Sequence, residues 1–193
     1  PDLVALRGME QLMFDLIDDP GWVAALLDRL TAWHLALLDE METAGLIRPN
    51  NGAEWVGTGG LGYSDELPDE ATREQFSCAD VWGGVQAQEL TGISPAMFVD
   101  YFLPPMQRVM ERFGLGTYGC CEPVHDLVPH LRQVKNLRRI SVSPWADVNL
   151  SAERMGGDYV FACKPNPAML STPSFDEAAI RTDFREIFAA TRS

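Results

Sequence analysis

Three short apolar runs constrain the fold of this chain more than any other feature. "LGTYGCC" (115–121), "LRRISVS" (137–143) and "DYVFACK" (158–164) carry the β-branched, aromatic and small apolar residues of buried strands, and each is followed by a segment with helical spacing. Their starts recur at intervals of roughly 20 residues, the rhythm of strands joined through helices. Strands joined in this way pair in parallel, because a parallel neighbour is reached only through a long crossover. Each run also ends on unusual residues: Cys120-Cys121-Glu122, Ser143-Pro144-Trp145 and Lys164-Pro165-Asn166. In parallel α/β folds the loops leaving the C-terminal strand ends converge on one mouth, and ligands bind there. The expectation is an α/β fold with its site at that edge.

The remaining segments fit the same plan. Residues 19–45 predict a long helix in which Asp19 caps the start, Pro20 occupies the first turn and Gly45 closes the end. Val23, Leu26, Leu27, Leu30, His34, Leu37, Leu38 and Met41 recur on it at spacings of three and four, so His34 reads as a core histidine. "NNGAEWVGTGGLGYSDELP" (50–68) is rich in turn residues and lacks the G-x-x-x-x-G-K pattern of a phosphate loop; it reads as a mobile or ligand-covering loop. "CADVWGG" (78–84) predicts a buried strand. "SPAMFVDYFLPPMQRVMERFG" (94–114) predicts a helix capped by Ser94 and broken or kinked at Pro104-Pro105. "PVHDLVPHLRQV" and "ADVNLSAERMG" predict short helices, and "SFDEAAIRTDFREIFAAT" a final one with Ser174 and Glu177 as a capping box.

Composition narrows the partners. A net charge of −13 opposes binding to nucleic acid or an anionic membrane surface, both of which call for clustered Lys and Arg. No apolar run reaches the roughly 20 residues of a membrane span, and the start of the chain has neither the basic nor the apolar region of a secretory signal. Four cysteines, two of them adjacent, make no disulfide framework at this length, which points to a reducing cytoplasm. The 193 residues suit a single domain, and a start without Met suggests a piece of a longer protein.

The candidate site residues cluster at the strand ends. Cys120 and Cys121 allow three readings: buried small hydrophobes, thiolate nucleophiles, or metal ligands joined by Glu122, His125 or Cys163. On a strand the two thiols would point to opposite faces. Trp82, Tyr118, Trp145 and Tyr63 could line an aromatic pocket, with Gln86, Gln88 and Glu89 as polar groups beside it. Lys164 places a cation at the mouth, where it could stabilise a carboxylate or enolate.

"DVWGG…ISPAMFVDYFLPPMQRVMERFG", "TYGCCEPVHDLVPHL", "ISVSPWADVNLSAERMGG" and "VFACKPNPAML" together resemble, in order and spacing over residues 20–185, the uroporphyrinogen decarboxylase-like superfamily, which includes the decarboxylase and the corrinoid and coenzyme M methyltransferases. The resemblance implies a TIM-type parallel (β/α) barrel. In 193 residues it would be a partial barrel lacking early strands and the last strand, since a full one takes about 250. It also implies an enzyme: most simply a methyltransferase using a metal-bound thiolate or a corrinoid carried by a partner protein, alternatively a decarboxylase of a carboxylated small molecule. A non-catalytic small-ligand-binding barrel is the remaining class. The resemblance places Asp147 near the family's strand-end aspartate, so Asp147, Lys164 and Glu122 are the catalytic candidates. Trp82, Gln86, Tyr118, Trp145 and Asn166 are the substrate-binding candidates, and Cys120, Glu122, His125 and Cys163 the candidate zinc ligands. Two departures stand out. Tyr118-Gly119-Cys120 occupies the place of the methyltransferases' His-x-Cys, and Lys164-Pro165-Asn166-Pro167 that of Gly-Asn-x-Asp-Pro. A partial barrel leaves sheet edges unpaired, so a homodimer is expected, in contact through an edge strand or the apolar face of the 20–45 helix.

Overall fold

The computed structural model of the chain describes residues 2–192. Three helices lead: α1 (Asp2–Arg7), α2 (Met9–Asp18) and α3 (Pro20–Thr43). The long helix starts and stops as its sequence signals require. The Asp19 side chain accepts from the Trp22 N–H at 3.1 Å, with Pro20 in the first turn. At the other end Leu46 N–H returns to the Met41 carbonyl at 2.9 Å and Gly45 N–H to that of Glu42 at 3.0 Å, a closed Schellman end.

A two-stranded antiparallel hairpin comes next, β1 (Trp55–Val56) with β2 (Gly60–Leu61), from the glycine-rich segment. The main sheet comprises β3 (Trp82–Val85), β4 (Leu115–Tyr118), β5 (Leu137–Val142) and β6 (Val160–Cys163), in sequence order and parallel throughout. Its crossovers contain α4 (Pro95–Met97) and α5 (Leu103–Met110), then α6 (Val128–Leu131), then α7 (Val148–Met155); α8 (Glu177–Ala190) ends the chain. The alternation read from sequence is therefore present, and the sheet is parallel as expected.

Register separates the two faces. Val85, Tyr118, Ile140, Val142 and Phe161 point to the helices and join one core with Leu12, Leu16, Val23, Phe98, Phe102, Met110, Leu131 and Met155. Full burial of an apolar side chain of this size stabilises by about 1.5–3 kcal/mol, so this face holds most of the folding free energy. The opposite face carries Trp82, Gly84, Leu115, Thr117, Arg139 and Ser141. The hairpin partly covers it, with Val56 and Leu67 packed on Trp82 and Leu115.

Four local expectations change. Cys78–Asp80 forms a turn of 3₁₀ helix, so the "CADVWGG" strand begins only at Trp82. The helix from Ser94 is not broken by its prolines: Phe98–Phe102 widens into a π turn, and Pro104 and Pro105 fall in the first turn of α5, where a missing N–H costs nothing. Strand β4 stops at Tyr118, so Cys120 and Cys121 lie in the loop beyond it. The cap of α8 is Asp176, accepting from Ala179 N–H at 3.0 Å, while Glu177 pairs with Arg181 instead of serving a box with Ser174. An aspartate one residue before the helix outcompetes the more distant serine. Among the described residues, no helix is long and apolar enough to cross a membrane.

Candidate functional site

The C-terminal edge of the sheet is tied together by Glu122. Its carboxylate accepts the Ala87 N–H at 3.0 Å and the Cys120 N–H at 2.8 Å, joining the loop after β3 to the loop after β4. Its backbone carbonyl accepts from the Ser143 hydroxyl at 3.1 Å, which brings in the end of β5. Lys164, at the end of β6, donates to the Cys120 carbonyl at 2.8 Å. All four strand ends are thus bound to one segment, residues 120–122. That convergence is legible in the sequence; its hydrogen bonding is not.

Gly119 makes the segment possible. With φ +98° it turns the chain out of β4, and a Cβ there would stand 3.3 Å from the Ser141 carbonyl oxygen. The turn brings the Cys120 and Cys121 sulfurs to 3.5 Å, instead of setting them on opposite faces of a strand. They remain free thiols. The Cys120 thiol first, then burial, raise the Cys121 pKa, with Lys164 acting weakly the other way. Burial, then Asp183, raises that of Cys163, and burial, then Glu42, pushes Cys78 up to about 11. These thiols favour their neutral form.

The other candidates scatter. Tyr118 is buried on the helix side, edge-on to Phe98 at 6.1 Å; burial and then the nearby Glu122 carboxylate raise its pKa well above the ordinary phenol value. Trp82 lies at the opposite end of β3 from the mouth, its indole N–H donating to the Gly62 carbonyl at 2.8 Å. Trp145 is 68% exposed. Asp147 caps α7 through the Leu150 N–H at 2.9 Å, and its own N–H donates to His125 Nδ1 at 3.2 Å. Asn166 caps the 3₁₀ turn Pro167–Leu170 through the Ala168 N–H at 3.0 Å. Tyr63 is exposed. Among the described residues, no three His, Cys, Asp or Glu side chains gather closely enough to hold a metal ion. Cys120, Glu122, His125 and Cys163 in particular are not brought into one cluster.

A hollow of about 480 Å³ lies beside the free edge of β3. Gly84, Val85, Gln86 and Ala87 form one wall, Thr117 and Gly119 the floor, and Thr58 of the hairpin one rim. Helix α3 presents Leu27, Leu30, Thr31 and His34, and Phe102, Met106 and Val109 close the far side. His34 donates from Nδ1 to the Leu30 carbonyl at 2.9 Å and sets Nε2 3.1 Å from the Asp2 carboxylate. Of the expected substrate-binding residues only Gln86 lines this cavity, and Glu89 lines it too. His34, read from sequence as core, proves to be a cavity wall, because the apolar stripe of α3 faces a hollow at this level. A second hollow of about 130 Å³ holds Glu122 and His125 in its lining. No known family model, characterised protein or solved structure matches this chain.

Proposed function

We propose that the four-stranded sheet is an arc of a TIM-type barrel of the uroporphyrinogen decarboxylase-like kind, and that the cavity beside β3 takes a carboxylated small molecule that the protein decarboxylates. The cavity at the C-terminal ends of β3 and β4 carries this reading, since that is where parallel α/β folds bind ligands. Support for the barrel comes from the strictly sequential parallel strand order, with helices packed on one face of the sheet. In the reaction the bond to the carboxylate carbon breaks, its electron pair stays on the substrate, and neutral CO₂ leaves. The carbanion then takes a proton. Apolar walls from Leu27, Leu30, Phe102 and Met106 strip water from the carboxylate and favour its departure. His34, with Nε2 3.1 Å from the Asp2 carboxylate, is the candidate proton donor within the cavity.

The methyl-transfer reading, with zinc or a corrinoid-bearing partner serving a thiolate, has less support. Among the described residues that line the cavity, Met106 carries the one sulfur and no cysteine thiol is present.

The test is a panel of small aromatic and aliphatic ¹³C-carboxylates, read by thermal shift for binding and by ¹³CO₂ release for turnover. Wild type is expected to bind and release CO₂. Leu30→Trp, which fills the cavity, should lose both, and His34→Gln should keep binding while turnover falls about 100-fold or more. Binding without CO₂ release would leave a non-catalytic ligand-binding protein; binding unaffected by Leu30→Trp would remove the cavity assignment altogether.

A further inference from the structure

We propose that Arg139, Thr117 and Ser141 form a carboxylate-binding site on the hairpin-covered face of the sheet, closed over by the glycine-rich hairpin β1–β2. Arg139 is 4% exposed, Thr117 3% and Ser141 1%. Register places Arg139 opposite Thr117, and Ser141 two residues along the same strand, so all three side chains share one face. The guanidinium is used on one side only. Its Nη1 donates to the Leu61 carbonyl at 2.8 Å, and its plane lies 4.5 Å from the centre of the Trp82 ring. Nε and Nη2 are buried with no hydrogen-bond partner in the protein, and so are the hydroxyls of Thr117 and Ser141. No acidic side chain among the described residues forms an ion pair with Arg139, and burial alone lowers its pKa from the ordinary arginine value.

A buried guanidinium without a counter-charge opposes folding, and buried donors without acceptors add to the cost. Four unused polar groups converging on one face therefore call for an acceptor carrying negative charge. The free edge defines its shape. Nε and Nη2 are the parallel pair of donors that grips two oxygens held in one plane. Arg7 uses this same pair in this protein, holding the two oxygens of Asp15 at 2.5 and 3.0 Å. At Arg139 the position of that carboxylate is left to a ligand, with the Thr117 and Ser141 hydroxyls as further donors.

The hairpin explains how such a site is covered. A Cβ on Gly59 would lie 3.0 Å from the Thr117 hydroxyl oxygen and 3.3 Å from Arg139 Nε, so a side chain there would crowd both groups where the backbone closes over them. The Thr58 hydroxyl fastens the hairpin to the Gly119 carbonyl at 2.8 Å. The segment 50–68 acts as a cover, and the carboxylate enters when it lifts. The site adjoins the cavity beside β3 through Thr117, which lines both, but Arg139 and Ser141 do not line that cavity.

The test monitors the Arg139 Nε–H resonance by ¹⁵N NMR while the full chain is titrated with formate, acetate, inorganic phosphate or chloride at constant ionic strength. Formate and acetate are expected to give a saturable downfield shift at millimolar concentration, with chloride inert. Arg139→Lys keeps the charge but loses the parallel donors, and should weaken acetate binding at least tenfold, measured by calorimetry. Should that variant not fold, Ser141→Ala removes one hydroxyl and should weaken binding several-fold. No shift with any carboxylate, or an equal shift with chloride, overturns the proposal. Saturation by phosphate alone overturns the carboxylate assignment. Loss of acetate binding in Arg139→Lys with cavity ligands still bound would separate this site from the one beside β3.

Discussion

Glu122 shows at the scale of one residue how a candidate catalytic acid serves a structural purpose. Both carboxylate oxygens are occupied by backbone N–H groups, from Ala87 and Cys120, in a buried position. Hydrogen bonds to a buried charged group contribute about 1.5–3 kcal/mol, and orphaned donors add to the cost of losing them. Glu122→Ala is therefore expected to destabilise the fold by about 3 kcal/mol in urea unfolding; a loss below about 0.5 kcal/mol would mean that the clip does not hold the strand ends. Gly119→Ala should destabilise by about 1–3 kcal/mol, because an L side chain at φ +98° is strained and its Cβ meets the Ser141 carbonyl. The sequence marks Glu122 as a strand-end group but leaves its role open, since two backbone donors from distant loops have no signature in the chain. Arg139 is the opposite case. A charge in the middle of "LRRISVS", on the same alternation as Ser141, is plain in the sequence, but nothing local to it says that the guanidinium is buried with Nε and Nη2 unmatched.

Elements are the most legible level where their ends carry local chemistry. The cap, first-turn proline and closing glycine of α3 all act within the helix itself, so no tertiary information is needed to place it. Helix α5 needs more: only the packed Phe98 and Phe102 show that the chain widens into a π turn in place of a break. Glu42 illustrates how α3 is joined to the 3₁₀ turn ahead of β3, accepting the Cys78 N–H at 2.7 Å and pairing with Arg112 at 3.2 Å. The backbone N–H of Cys78 first, and the Arg112 charge further down, hold its pKa below the ordinary value despite burial. A carboxylate with a depressed folded-state pKa contributes stability that is fully present above its unfolded pKa of about 4.3 and is lost as pH falls through the lower folded value. Stability should therefore decline below about pH 4.3 with a contribution from Glu42, and Glu42→Gln should flatten that acid limb in pH-dependent urea melts. An unchanged acid limb in the variant would remove Glu42 from the account.

The whole molecule presents an open parallel sheet with β3 and β6 at its edges. Helix α1 and helix α3 flank the β3 side through the cavity, whereas Val160 at the β6 edge is 52% exposed and Trp33 on the outer face of α3 is 57% exposed. Apolar groups on an unpaired edge invite pairing with a second chain. A homodimer is the expected state, with an apolar centre at β6 or on α3. A net charge of −13 per chain repels its copy, so association should tighten as salt rises. Light scattering at tens of micromolar, at low and high ionic strength, checks this; a monomer under both conditions would count against it. Val160→Lys on the edge strand should shift a β6-mediated dimer to monomer.

The parallel α/β plan, the long capped helix and the convergence of residues 120–122, 143–145 and 164–166 on one edge follow from the sequence alone, because periodicity, caps and strand ends are local properties of the chain. The cavity, the use of Glu122 and the unmatched donors of Arg139 were decided by tertiary structure. Each depends on groups far apart in the chain meeting at one point: α3 with β3, Ala87 with Glu122, and the hairpin at Gly59 with Arg139 on β5. Such meetings are set by which faces pack, and side-chain packing is non-local, so no run of neighbouring residues records it.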